Sequence, residues 1–134
     1  MADCIFCMIA NGEIPSQTLY EDEEFKVILD VAPATKGHAL ILPKSHYPNL
    51  FELPEDTAAK AMRIAKKMAV RMTEKLHCDG MNIMQNNNEV AGQTVFHFHM
   101  HLIPRYEDDG HNLTMKPTAM SAEELAKVKE LIAE

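Results

Sequence analysis

A chain of 134 residues, 46% of them hydrophobic, can bury one core and is too short for two. Its formal charge of -7 disfavours nonspecific binding to nucleic acid, and no stretch reaches the roughly 18–20 apolar residues of a membrane-spanning helix. Three cysteines, two of them in Cys4-Ile5-Phe6-Cys7, form no disulfide framework, and the residues around Asp3 lack the basic and apolar regions of a signal peptide, so a soluble cytoplasmic protein is expected.

Residues 4–11 read as a short helix closed by Asn11-Gly12, with Pro15 beyond. Strands are expected over 17–21 and 24–29, with a turn near Asp22-Glu23, and a third over 38–43. From Pro54 to His77, Ala58, Ala61, Met62, Ala65, Met68, Ala69, Met72 and Leu76 recur at spacings of three and four, which predicts a long helix. Its lysines and arginines then form a solvated face, and the methionines pack into the core. Strands over 80–86 and 95–103 follow, separated by the polar loop Asn87 to Gly92. Ser121-Ala122-Glu123-Glu124 has the form of a capping box opening a last helix, on which Leu125, Val128 and Leu131 or Ile132 make one apolar stripe. This order predicts an α+β domain on an antiparallel sheet. No internal repeat or linker interrupts it; Cys78 is the odd cysteine out, and His77 and His111 read as ordinary surface residues.

The chemistry concentrates in His97-Phe98-His99-Met100-His101-Leu102-Ile103. On a strand, alternate side chains share a face, so three imidazoles line up while Phe98, Met100 and Leu102 point the other way. Val95, Phe96 and Ile103 favour a strand, and Pro104 is expected to end it. By itself this spacing also fits a zinc site of three histidines.

Further signals stand upstream: Asp79-Gly80-Met81-Asn82, Gln85-Asn86-Asn87, Ala91-Gly92-Gln93-Thr94-Val95, Leu29-Asp30, Gly37-His38-Ala39-Leu40 and Pro43-Lys44-Ser45-His46. In order and spacing, over about residues 3–107, these resemble the Hint-like branch of the histidine triad (HIT) hydrolases and transferases, of the purine nucleoside phosphoramidase type. The resemblance implies one HIT domain over 1–134, with 108–134 as a C-terminal extension. It implies a five-stranded antiparallel sheet with one long helix and a C-terminal helix, the sheet extended to ten strands in a homodimer.

It also implies roles. His99 is the nucleophile that attacks the α-phosphorus and forms a nucleotidyl-histidine; His101, His38 and Thr94 act beside it on the phosphoryl oxygens and the leaving group. Asn86, Gln93 and Thr94 are the polar contacts to the α-phosphate and leaving group, with Gly92 allowing close backbone approach; Asp30 accepts from the ribose hydroxyls, and Phe6, Ile28 and Val31 form a base pocket or, equally, ordinary core. Thr94 stands where many Hint-like sequences have serine. Cys4, Cys7, His46 and His97 are the ligands of a structural zinc ion, against the alternatives of reduced buried cysteines or a redox pair, and no catalytic metal is required. The expected function is cleavage of purine nucleoside 5′-phosphoramidates and related nucleoside monophosphate conjugates. The alternatives are hydrolysis of dinucleoside polyphosphates and a nucleotide-binding or partner-docking module with incidental catalysis. No nucleic acid or membrane partner is expected.

Overall fold

The computed structural model of the chain describes residues 4–112 and 114–133; Asp3, where the motif-bearing core is expected to open, lies outside the described residues. In chain order the elements are α1 (Ile5–Ala10), β1 (Thr18–Glu21), β2 (Phe25–Leu29), β3 (Ala39–Pro43), α2 (Glu55–Leu76), β4 (Gly80–Met84), β5 (Met100–Arg105) and α3 (Ala122–Ile132). The strands form a five-stranded sheet in the order β1-β2-β3-β5-β4, every neighbouring pair antiparallel. The expected α+β architecture is therefore what forms, with β5 inserted between β3 and β4.

The two faces of the sheet are covered differently. Phe25, Val27, Ala39, Ile41, Met100 and Leu102 point to one side and pack against Ala61, Ile64, Ala65, Met68 and Met72 of α2. On the other side Ile28, Leu40 and Leu42 meet Phe6 and Ala10 of α1. This second face also buries Lys26, whose Nζ donates to the carbonyl of Ile9 at 3.0 Å and so ties the end of α1 to β2. A buried lysine needs such a partner, and a single cation inside an apolar strand was the sequence signal for it.

Helix α2 keeps its expected limits, with Pro54 as its N-cap and His77 in the left-handed region (φ 55°) at its C-cap. The expected stripe needs one correction: Met62 is 53% exposed and Ile64 takes its place inside. Residues 61, 65, 68 and 72 define the buried direction; on the helical wheel position 64 lies about 40° beyond 68 at one border of that arc, whereas 62 lies about 60° beyond 65 at the other. Strand β4 stops at Met84 rather than at 86, because the Gln85 and Asn87 amides bond each other at 2.9 and 2.7 Å and turn the chain out of the sheet.

The histidine-bearing strand is displaced from the expected 95–103 to Met100–Arg105. His97 and His99 precede the ladder, yet the alternation survives: Phe98 enters the core with Met100 and Leu102, held by its N–H donating to the carbonyl of Tyr47 at 2.6 Å. Pro104 does not end the strand. It pairs opposite Met81 of β4, and on its other side β3 has already given way to a loop, from which Thr35 Oγ1 donates to the Pro104 carbonyl at 2.6 Å. A missing N–H costs no ladder bond there.

The last helix opens as expected: the Glu124 N–H donates to Ser121 Oγ at 3.1 Å and the Ser121 N–H to Glu124 Oε1 at 3.2 Å. Its apolar stripe is uncovered among the described residues, with Leu125, Leu131 and Ile132 all exposed. None of the described helices is long and apolar enough to cross a membrane.

Candidate active site

On the sheet face opposite α2, a cavity of about 440 Å³ opens between α1, the start of the loop after β2, and the chain leading into β5. Phe6, Ile28, Asp30, Thr94, His99 and His101 line it. Its volume is in the range of small-molecule sites, and its walls are mostly apolar with a few convergent polar groups.

Hydrogen bonds fix the proton on each imidazole. His99 Nδ1 lies 2.8 Å from the carbonyl of His97, which can only accept, so Nδ1 carries the proton and Nε2 keeps its lone pair. His38 Nδ1 accepts the N–H of Ala34 at 3.0 Å; its proton is therefore on Nε2, 2.9 Å from His101 Nδ1. His101 in turn accepts on Nδ1 and presents Nε2–H. Among the described residues no buried side-chain nitrogen or oxygen lacks a partner, so the unpaired Nε2 atoms of His99 and His101 are open to solvent. A lone pair and a donor thus stand on adjacent rings whose centroids are 5.0 Å apart.

Burial keeps these rings neutral. It lowers the pKa of His99 against the opposing effects of the His97 carbonyl and Asp30, and lowers His101 to about 4, with His99 and His38 adding to the shift. His38 is lowered by burial too, with Asp30 opposing. A neutral imidazole is what a nitrogen nucleophile requires.

Of the remaining expected residues, Asp30 places Oδ2 3.7 Å from His38 Nε2 and accepts the N–H of Ala32 on Oδ1 at 2.9 Å. Val31 borders the cavity but is 99% exposed, so it is not core. Gly92 (φ +99°) lies beside Asn86: a Cβ there would sit 3.4 Å from Asn86 Nδ2. Gln93 is buried with its whole side chain engaged, Oε1 accepting from Asn88 N–H at 2.7 Å and Nε2 donating to the carbonyls of Pro48 at 2.6 Å and Val95 at 3.0 Å. Its side chain braces the loop below the cavity instead of facing it.

Cys4, Cys7, His46 and His97 form a second cluster, their four ligand atoms within 4.8 Å of one another. Cys4 Sγ is 3.4 Å from His97 Nδ1, and Cys7 Sγ is 3.3 Å from His46 Nδ1 and 3.5 Å from His97 Nδ1. Bonds of about 2.0 Å to nitrogen and 2.3 Å to sulfur in a tetrahedron give sulfur–nitrogen edges of about 3.5 Å. The chemistry fits as well: His97 Nε2 donates to the Pro43 carbonyl at 2.8 Å, which leaves Nδ1 free to ligate. These residues can hold a metal ion. Asp30, His38 and His101 are equally close together, but His38 already accepts at Nδ1, so ligation through Nε2 would require an imidazolate. Within that trio the hydrogen bond runs from His38 to His101, with Asp30 Oδ2 3.7 Å from His38 Nε2.

The HIT domain pattern matches residues 11–108. The chain belongs to the HIT domain family. Among solved structures, a protein of Streptococcus mutans is 41% identical, with a TM-score of 0.94 over 98% of this chain and 84% of that one. A zinc-bound histidine triad protein of Mycobacterium smegmatis is 36% identical, with a TM-score of 0.79 over 97% of this chain and 98% of that one. Named relatives include an adenylylsulfatase of Arabidopsis thaliana, 42% identical over 107 residues (80% of this chain, 54% of that one). An adenosine 5′-monophosphoramidase of Saccharomyces cerevisiae is 45% identical over 107 residues (80% of this chain, 65% of that one).

Two features of this HIT site were invisible in its sequence. The carbonyl of His97 and the N–H of Ala34 are main-chain groups, which every residue has, so no residue type marks them. The segment after β5 also reaches the site, since Tyr106 Oη donates to the Lys36 carbonyl at 2.7 Å and His111 Nε2 to the Ala34 carbonyl at 2.7 Å.

Proposed function

We propose that this HIT protein is a nucleotidyl hydrolase or transferase that cleaves purine nucleoside 5′-phosphoramidates and related monophosphate conjugates. The observation that carries the reading is the His99 imidazole, neutral and accessible at Nε2, with Nδ1–H held by the His97 carbonyl. Nε2 attacks the α-phosphorus; the new P–N bond forms as the bond to the leaving group breaks, and the departing atom takes its proton from water in the open cavity while His101 Nε2–H hydrogen-bonds to it. Water then displaces the histidine, breaking the P–N bond and releasing its proton to solvent. Two in-line displacements give overall retention at phosphorus. Thr94 lines the cavity with a hydroxyl for the leaving group, Asp30 Oδ2 accepts from the ribose, and Phe6 with Ile28 takes the base. Asn86 and Gly92 approach the phosphate, while Gln93 keeps their loop in place.

The yeast monophosphoramidase and the plant adenylylsulfatase support an adenylyl conjugate with a variable leaving group. We further propose zinc at Cys4, Cys7, His46 and His97, where it supplies a structural tie between α1 and the chain that carries His99; the zinc-bound mycobacterial relative supports this. The chain is proposed to work in the cytoplasm as one HIT domain and as a homodimer. The free edge of β4 with exposed Ile83, and Met62 and Val70 on the outer side of α2, are surfaces suited to such pairing.

The test is to incubate the protein with adenosine 5′-phosphoramidate, quench in denaturant and map the adduct by mass spectrometry. An adenylyl group on His99 is expected. His99→Gly should fold, form no adduct and lose at least about two orders of magnitude in rate; retention of more than about one per cent would overturn covalent catalysis. Faster turnover of a dinucleoside tetraphosphate would transfer the assignment to polyphosphate hydrolysis.

A further inference from the structure

His111 stands outside the run of motifs and looks like a surface residue, yet its side chain ends on the active-site loop. Its Nε2 is 2.7 Å from the carbonyl of Ala34, which can only accept. The N–H of the same Ala34 donates to His38 Nδ1 at 3.0 Å. These two groups belong to the peptide planes on either side of one Cα, so fixing both fixes that residue's backbone. Pro33 precedes it and restricts the chain further.

His111 is itself held. Its N–H donates to Asp109 Oδ1 at 3.0 Å, and its carbonyl accepts from Arg105 at 2.8 Å. Arg105 grips Asp109 through two nitrogens at 2.8 and 3.0 Å and reaches Asn82 Oδ1 of β4 at 2.9 Å. Asp108 and Gly110, both at positive φ, close the turn that brings His111 back over the loop. Thr35 of the same loop donates to the Pro104 carbonyl of β5, and Tyr106 Oη donates to the Lys36 carbonyl of the loop, so the loop stays attached without His111 while Ala34 loses its own support.

We propose that His111 is a positioning residue: by donating to the Ala34 carbonyl it aims the Ala34 N–H at His38 and so sets the tautomers of His38 and His101. The consequence for catalysis rests on the proposed nucleotidyl transfer, in which His101 must present Nε2–H to the leaving group. If the Ala34 N–H moves away, His38 is free to carry its proton on Nδ1. Its Nε2 then becomes an acceptor facing His101 Nδ1, and the His101 proton is drawn to the wrong nitrogen. Binding of the nucleotide, made by Asp30 and the apolar walls, is untouched, so the loss belongs in kcat.

The test compares His111→Ala with His111→Gln, whose amide NH2 can replace Nε2–H, and with Tyr106→Phe as a neighbouring control on the same loop. Imidazole 15N shifts report the tautomers, and exchange of the Ala34 amide reports the backbone. In His111→Ala we expect mixed tautomers at His38, amide exchange roughly three- to tenfold faster, and a comparable fall in kcat with KM within about twofold, the scale of one lost hydrogen bond. His111→Gln should restore most of each, and Tyr106→Phe should leave the His38 tautomer unchanged. Wild-type tautomers and exchange in a folded His111→Ala would overturn the proposal, as would an equal tautomer change in Tyr106→Phe. If His111→Ala does not fold, a wild-type His38 signal in His111→Phe, which fills the space without a donor, overturns it equally. If wild type turns over no nucleotide conjugate but the tautomers shift as described, the positioning stands and the functional reading fails.

Discussion

Asp30 has one oxygen committed to the turn at Ala32 and the other facing the cavity. A carboxylate that accepts from ribose hydroxyls loses that partner with a 2′,3′-dideoxy substrate. We expect a loss of about 1.5–3 kcal/mol in kcat/KM for wild type and almost none for Asp30→Ala, measured on paired ribo and dideoxy conjugates. Asp30→Asn keeps an acceptor for Ala32 and separates the turn from the charge. The buried imidazoles make a second expectation. His101 stays neutral in the fold down to about 4, whereas an unfolded histidine takes its proton near 6.5. As pH falls through that interval the unfolded chain binds more protons, so the histidine contribution is fully present above about 6.5 and is lost toward 4; His38 and His99 act in the same direction. Asp22, lowered to about 2, contributes only below that interval. Urea midpoints at pH 7.5 and 4.5 should therefore differ less for His101→Gln than for wild type. At this scale side-chain chemistry was legible in the sequence, because histidine, cysteine and aspartate have few uses at such spacing. Gln93 shows the boundary of that reading: its type suits a phosphate contact, and only the fold directs its amide to three main-chain groups.

The elements were legible wherever a periodic pattern ran long enough. Helix α2 has 22 residues of pattern, and its ends agree with the expected Pro54 and His77. Strand β5 was displaced because alternation of side chains reports extended backbone, whereas a ladder also needs a neighbour. β3 pairs only with Met100, His101 and Leu102, so residues 97–99 lie outside the ladder although their side chains still alternate between the two faces. The His97 carbonyl is then available, and it holds His99 Nδ1–H. Gly37 gives a test of how tightly these elements close. It sits at φ +93°, and a Cβ there would drive into Leu76 Cδ1 at the end of α2 and meet Pro104 Cγ at 3.3 Å. Gly37→Ala should cost about 1–3 kcal/mol in urea unfolding, from strained φ and displacement of Leu76. An unchanged midpoint would mean that the loop before β3 yields freely.

At the scale of the molecule, the Cys4–Cys7–His46–His97 cluster joins segments as much as 93 positions apart. With zinc bound there, chelation or Cys4→Ser with Cys7→Ser should lower the melting temperature by more than about 5 °C, while metal-free protein that remains folded still turns over. Loss of turnover with the fold and stability intact would instead place the metal in the chemistry. Sedimentation should show a dimer that a lysine at Val70 or Ile83 weakens, if α2 and β4 meet a second copy. The expectation of a homodimer rests on family likeness alone, since a solvent-facing Met62 or Leu131 follows from no periodicity. The strand order carries a consequence for biosynthesis. Chains leave the ribosome from the N-terminus, so β1, β2, β3 and then β4 emerge before β5, yet β4 pairs with β5 alone. Until residue 105 has been made, β3 offers an unpaired edge built from five residues that end up buried. The growing chain is therefore most open to aggregation just before His97, His99 and His101 arrive, and the segment that completes the candidate active site is the same one that closes the sheet.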